Sequence, residues 1–154
     1  MQIQLSPYVI PLVLCAAVAA GLTLFALRHH DAPAALPVTA LLFEITLWIV
    51  LYTLEFSAPT LQDKLTWARL AYLTLVCIPP TWLVFTVQYT RKGKRVRILY
   101  QAALLILPVL TLILAATNPQ HHLFWMEGGW NGNYISLVYP LWLWIHIVSS
   151  YTVL

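Results

Sequence analysis

In 154 residues this chain carries eight basic and five acidic side chains, 61% hydrophobic residues, 8% charged residues and a mean hydropathy of +0.80. Soluble domains hold about 25% charged residues, so the composition excludes an ordinary water-soluble enzyme or scaffold and indicates a membrane protein. The formal charge of +3 comes from one short basic loop, which excludes a nucleic-acid partner as the meaning of the pI near 9.0.

A bilayer core takes about 20 apolar residues as helix, and runs of that size follow one another along the chain. The first covers residues 8–27, YVIPLVLCAAVAAGLTLFAL. The preceding MQIQLSP has no basic residue, and the run exceeds the about 7–15 residues of a signal-peptide core, so we read it as a retained span. The second run covers 36–56, the third 65–89 and the fourth 98–116. A fifth begins near residue 138 and is still apolar at Leu154, which reads as a helix cut short. The expected fold is all-α: a polytopic membrane helical bundle of about five transmembrane helices, forming one domain over residues 1–154. Pro11 and Pro108 are tolerable at membrane depth, whereas the Pro79-Pro80 pair predicts a kink in the third helix.

Orientation follows from the basic residues. Arg28 follows the first run, and Arg91, Lys92, Lys94, Arg95 and Arg97 lie between the third and fourth. Both places share a side if every run crosses, and the positive-inside rule makes that side cytoplasmic. The N-terminus is therefore expected outside, in the inner (cytoplasmic) membrane. Residues 118–137, NPQHHLFWMEGGWNGNYISL in large part, then form a long aromatic outer loop.

Polar residues within spans are the candidate functional groups, since an isolated charge near hydrocarbon is costly and a paired one facing the bundle interior is tolerated. Glu55, near the outer end of the second span, and Arg69, about five residues into the third, are expected to form a structural ion pair. Asp63 and Lys64 read as decoration of the loop and helix start. Glu44 falls near mid-membrane, and Glu44, Trp48, Tyr52 and Glu55 share one helical face. Tyr72 on the third span and Trp142 and His146 on the fifth complete a candidate polar interior, with His146 placed to meet Glu44 or Tyr52. Two readings stay open: interhelical hydrogen bonding worth about 1 kcal/mol per bond, or a site for a ligand, proton or ion.

Catalytic and metal signatures are lacking in the sequence. The pairs His29-His30 and His121-His122 do not have metal-ligand spacing, and no phosphate loop, nucleophile elbow or cofactor fingerprint occurs. Cys15 and Cys77 lie in apolar runs and read as packing residues rather than a disulfide.

The run LEFSAPTLQDKLTWARLAYLTLVCIPPTWLVFTVQYTRKGK, then LPVLTLILAATNPQHHLFW, then YPLWLWIHIVSSYTVL, resembles the seven-helix N-terminal sensor region of bacterial and archaeal histidine kinases. The resemblance covers about residues 5–154 and is carried by Glu55, Trp67, Ala68, Arg69, Tyr72, Pro80, Trp82, Tyr89, Asn118, His121, Phe124, Trp125, Pro140, Trp142, Trp144, His146 and Tyr151. It implies a sensory input module of a two-component system, with no catalysis in this portion, no cofactor, and an unknown small ligand or membrane condition as the signal. It further implies that a sixth and seventh helix and the output domains are not included, and that the full-length protein forms a homodimer. Glu44 has no counterpart in the resemblance. The alternative is a small transporter or channel using Glu44, Glu55, Arg69 and His146 as pathway residues.

Overall fold

A computed structural model of the chain describes residues 8–32, 34–90, 98–123, 126–130, 135–138 and 141–153. Its elements are α1 (Val9–Arg28), α2 (Ala35–Ser57), α3 (Leu61–Leu75), α4 (Ile78–Thr90), α5 (Ile98–Ala116), the single turn α6 (Asn118–His121), β1 (Met126–Trp130), β2 (Ile135–Val138) and α7 (Leu141–Val153). Among the described residues, three helical stretches are long and apolar enough to cross a membrane: α1, α2, and α3 with α4 taken together over Leu61–Thr90. Leu105–Ala116 of α5 is a shorter apolar stretch. The expected helical membrane bundle is thus what the chain forms. The basic loop at 91–97 and the Phe124-Trp125 pair lie outside the described residues.

Helix α1 is apolar around its whole circumference, as a span facing lipid should be. Val13, Leu14, Val18, Leu22 and Phe25 are at least half exposed on the protein, while Ala19 and Thr23 are buried where α1 packs along α2. Small and hydroxylated side chains let the two backbones approach. Thr23 donates to the Ala19 carbonyl at 2.9 Å and lies 3.2 Å from the Thr46 hydroxyl, which itself donates to Leu42 at 2.7 Å. From α2 the packing passes to α3 and α4, and from α4 to α5 and α7.

The turn between α2 and α3 is closed by side chains that the sequence reading treated as decoration. Thr60 caps α3 by accepting the Asp63 N–H at 3.1 Å, and its hydroxyl donates to the Asp63 carboxylate at 2.8 Å. Lys64 is only 5% exposed. Its Nζ donates to the Glu55 carbonyl at 3.1 Å and the Phe56 carbonyl at 3.2 Å, satisfying acceptors left over at the end of α2. Lys64 therefore belongs to the interhelical junction. Lys64→Met, which keeps the stem and removes the ammonium, is expected to cost about 1–3 kcal/mol by withdrawing two charge-assisted bonds from the junction, although the Glu55 carbonyl keeps the Ala58 N–H at 3.2 Å. Thermal unfolding in detergent measures it; an unchanged midpoint would mean that water replaces the ammonium without loss.

The third span begins four residues earlier than residue 65, at Leu61, and is broken rather than gently kinked. The break falls at Val76 and Cys77, between α3 and α4. Proline has no N–H and its ring collides with the carbonyl four residues back. Pro79 and Pro80 thus disqualify the carbonyls of Leu75 and Val76 as helical acceptors, which places the interruption one turn before the prolines themselves. Backbone bonding tightens there, with Cys77 N–H donating to Thr74 at 3.0 Å, and resumes with Thr81 N–H donating to Cys77 at 3.1 Å. Pro11 sits in the first turn of α1 and Pro108 inside α5, and neither breaks its helix.

The segment expected to be a long aromatic outer loop contains an antiparallel hairpin, with Met126 opposite Val138 and Trp130 opposite Ile135. The register shifts between Glu127 and Gly129, so Gly128 is the extra residue of a bulge. This adds two short strands to the helical bundle. It also corrects the fifth span: residues up to Val138 are in β2, and the helix starts at Leu141.

Candidate functional site

The six residues expected to line one interior divide among three places. Trp48, Tyr52, Glu55 and Tyr72 line a cavity of about 190 Å³ between α2 and α3, with Ala68, Ala71 and Leu75. Residues 48, 52 and 55 recur at helical spacing and so project from one side of α2. Alanine at 68 and 71 leaves room that larger side chains would fill. The Trp48 and Tyr52 rings are 6.4 Å apart between centroids and tilted by 35°.

Glu44 lies two turns deeper along α2 and is engaged elsewhere. Its Oε1 accepts the Thr81 hydroxyl at 2.8 Å, joining α2 to the first turn of α4 immediately after the double proline. Its Oε2 is buried and has no hydrogen-bond partner. The carboxylate is also within electrostatic reach of the Cys77 thiol at the break. Cys77 and Cys15 are both free thiols. A second, larger hollow of about 270 Å³ adjoins Thr81, lined chiefly by apolar groups of α2, α4 and α5, including Pro37, Pro80, Val84 and Leu105.

His146 and Trp142 do not meet Glu44 or Tyr52. Both turn to Thr111 of α5, which is completely buried. The Thr111 hydroxyl lies 3.2 Å from His146 Nδ1 and accepts the Trp142 indole N–H at 3.3 Å. One hydroxyl thus ties two side chains of α7 to α5, at a point 8% exposed for His146.

The expected Glu55 to Arg69 pair does not form. Among the described residues the side-chain ion pair is His30 with Asp31 at 3.5 Å, on the exposed turn after α1. The cation whose field reaches Glu55 is Lys64, and Arg69 holds its Nε buried without a hydrogen-bond partner. Arg69 lies eight residues past the start of α3, about 12 Å along it at 1.5 Å rise per residue, whereas Glu55 is two residues, about 3 Å, from the end of α2. Lys64, one residue before the apolar face of α3 resumes, faces the α2 terminus instead.

Thr81 and Thr111 were not singled out in the sequence, although each makes the decisive contact in its cluster. Most threonines here return their hydroxyl to the carbonyl four residues back, as Thr46, Thr53, Thr86 and Thr117 do, an arrangement that spends the donor locally. Thr81 and Thr111 send theirs to another helix. The available signal was position: Thr81 directly follows Pro79-Pro80, and Thr111 is the lone polar residue in LLILPVLTLILAA. No group of three or more His, Cys, Asp or Glu side chains that could hold a metal occurs among the described residues.

Comparison with known proteins adds the family. No curated protein matches the chain, and no solved structure does. The model of one family, the N-terminal 7TM region of histidine kinase, matches residues 11–154 and so runs from the first turn of α1 through α7. The helices, the broken third span and the interhelical polar clusters described above all fall inside that match, and the chain belongs to the family of N-terminal seven-transmembrane regions of histidine kinases.

Proposed function

We propose that this chain is a membrane-embedded sensory input module that changes its helix packing when a ligand or membrane condition favours one arrangement, and that catalysis lies outside it. The observation that carries the reading is the break at Val76-Cys77 together with the Glu44 to Thr81 hydrogen bond that lands one turn beyond it. Sensors need two packings separated by a few kcal/mol and an input that binds one of them better. A helix interrupted in mid-span, with its second half latched to α2 through one hydroxyl, supplies such an element. The half-satisfied Glu44 carboxylate makes the latch adjustable, because any change at Oε2 acts directly on the partner of Thr81.

The test uses the full-length protein reconstituted in liposomes, with autophosphorylation as readout. Glu44→Gln and Thr81→Val are expected to shift the basal output in the same direction while leaving helical content unchanged, since both weaken one latch. Steady movement of ions or solutes across the liposome wall, lost in Glu44→Gln or His146→Ala, would replace this reading with a transporter.

In the same proposal the N-terminus faces outward, residues 118–137 are outside and 91–97 inside, in a bacterial-type inner membrane, with the full-length protein acting as a homodimer. The basis is that Arg28 and the TRKGKRVR basic residues are separated by two expected crossings and so fall on one side. Gly93→Cys in a background without Cys15 and Cys77 should resist an impermeant thiol reagent in intact cells and react after lysis. Labelling of position 93 from outside would invert the topology.

A further inference from the structure

Four of the residues around the cavity between α2 and α3 define what it can hold. Trp48, Tyr52 and Tyr72 bring three aromatic rings to its wall, and Glu55 brings one carboxylate. That carboxylate accepts no hydrogen bond from any described side chain, and its oxygens are not sealed from the cavity, since the buried atoms without partners are those of Glu44 and Arg69. Lys64 influences Glu55 through space, yet its ammonium is spoken for by two backbone carbonyls and no ion pair joins them within 4 Å. Ala68 and Ala71 complete the α3 side of the lining with small side chains, which leaves volume between the two helices at the level of the rings and the carboxylate.

From this geometry we infer that the cavity is a binding site for a small organic cation, an ammonium or quaternary ammonium group held between the faces of Trp48, Tyr52 and Tyr72 with Glu55 as its counter-charge. The inference rests on the reading of the region as a sensor and names the chemical class of its ligand. Aromatic faces attract a cation through the ring quadrupole, more strongly when water is excluded, and Trp is the best of the three rings for this. An anion would meet the Glu55 carboxylate and no positive side chain of the lining. A neutral apolar ligand would bury that carboxylate without a partner, which is unfavourable. A metal ion would find a single carboxylate where several ligands are required. Size agrees as well: a dry cavity of about 150 Å³ holds benzene, so 190 Å³ suits a group such as trimethylammonium with a short tail. Such a ligand would bridge α2 to α3 just before the break at residue 76, stiffening the half of the span that the Glu44 latch does not reach.

The experiment is titration of choline, followed by calorimetry, into the whole chain purified in maltoside micelles, with 3,3-dimethyl-1-butanol as the uncharged molecule of the same shape. Choline is expected to bind at least tenfold more tightly than the alcohol. Glu55→Gln and Trp48→Ala should each weaken it at least tenfold, while Tyr52→Phe, which keeps the ring, leaves it within about twofold. Circular dichroism confirms that each variant is folded, and Tyr52→Ala serves as the ring deletion if Trp48→Ala is not. Repeating the titration in phosphatidylcholine nanodiscs separates sources: a reduced apparent affinity means that a lipid headgroup reaches the cavity, an unchanged one that the ligand is a free cation, and both keep the cation site. Equal binding of choline and the alcohol, no binding of either, or full affinity in Glu55→Gln would each overturn the inference. The sensor reading fails separately: choline binding with an autophosphorylation output indifferent to choline and to Glu44→Gln leaves the site and removes the sensor.

Discussion

Replacing Thr111 by valine is expected to lower the stability of the bundle by about 2 kcal/mol, because two interhelical bonds vanish together and such bonds average roughly 0.6 and reach about 1.7 kcal/mol in a membrane protein. Valine occupies the same volume, so the loss reports the hydroxyl and not a cavity. What remains after the substitution is a buried imidazole nitrogen and a half-buried indole N–H that have lost this partner, the situation that makes removal of one partner dearer than the bond itself was worth. Thr111→Ser keeps the hydroxyl and gives up one methyl group, an effect of about 0.8 kcal/mol per carbon removed from an apolar site. The order of thermal midpoints in detergent should therefore run wild type, Thr111→Ser, Thr111→Val. Equal loss in the two variants would show that methyl packing, not hydrogen bonding, joins α7 to α5. His146→Ala in the Thr111→Val background should add less than it does alone, since the two positions share one contact.

Pro79→Ala with Pro80→Ala is expected to have the largest effect on signalling. The substitutions return two N–H donors to the carbonyls of Leu75 and Val76, and the sequence TLVCIAATW that results has no remaining helix breaker. A regular helix would then run through Leu61–Thr90. The gain in stability should be about 1–3 kcal/mol, less than the roughly 3 kcal/mol that each interior proline costs a regular helix, because the break already accommodates part of the strain. Spin labels at the exposed positions 66 and 89 should move apart toward about 35 Å, the length of 23 residues at 1.5 Å rise. In the full-length protein the same variant should hold autophosphorylation at one level, insensitive to whatever input moves the wild type. A variant with a straightened helix and an undiminished response would show that the break is not the moving part.

How far the sequence carried can be judged residue by residue. The apolar runs located α1, α2, α5 and the combined α3 and α4 to within a few residues, since the length a bilayer demands is written directly in composition. The same logic put Glu44 and His146 at depth and made Trp48, Tyr52 and Glu55 neighbours on α2, because helical spacing alone decides which residues share a face. The prolines announced an interruption and the motifs announced the family.

Partners across helices were decided only by the tertiary structure. Because α3 starts at Leu61, Arg69 lies about two turns along it while Glu55 is two residues from the end of α2, so the cation that reaches that end is Lys64, whose flexible stem lets it turn to two carbonyls. Glu44 meets Thr81 because α4 packs against α2 beyond the break and its first turn carries that hydroxyl to the carboxylate. His146 chose Thr111 because α7 packs near α4 and α5 rather than against α2. Periodicity along one helix is a one-dimensional property that a sequence displays openly, whereas the rotation of each helix about its own axis emerges from the simultaneous packing of all of them. The extent of each helix and the face a residue takes on it were therefore legible in the chain of letters, and the pairing of polar groups across the bundle was not.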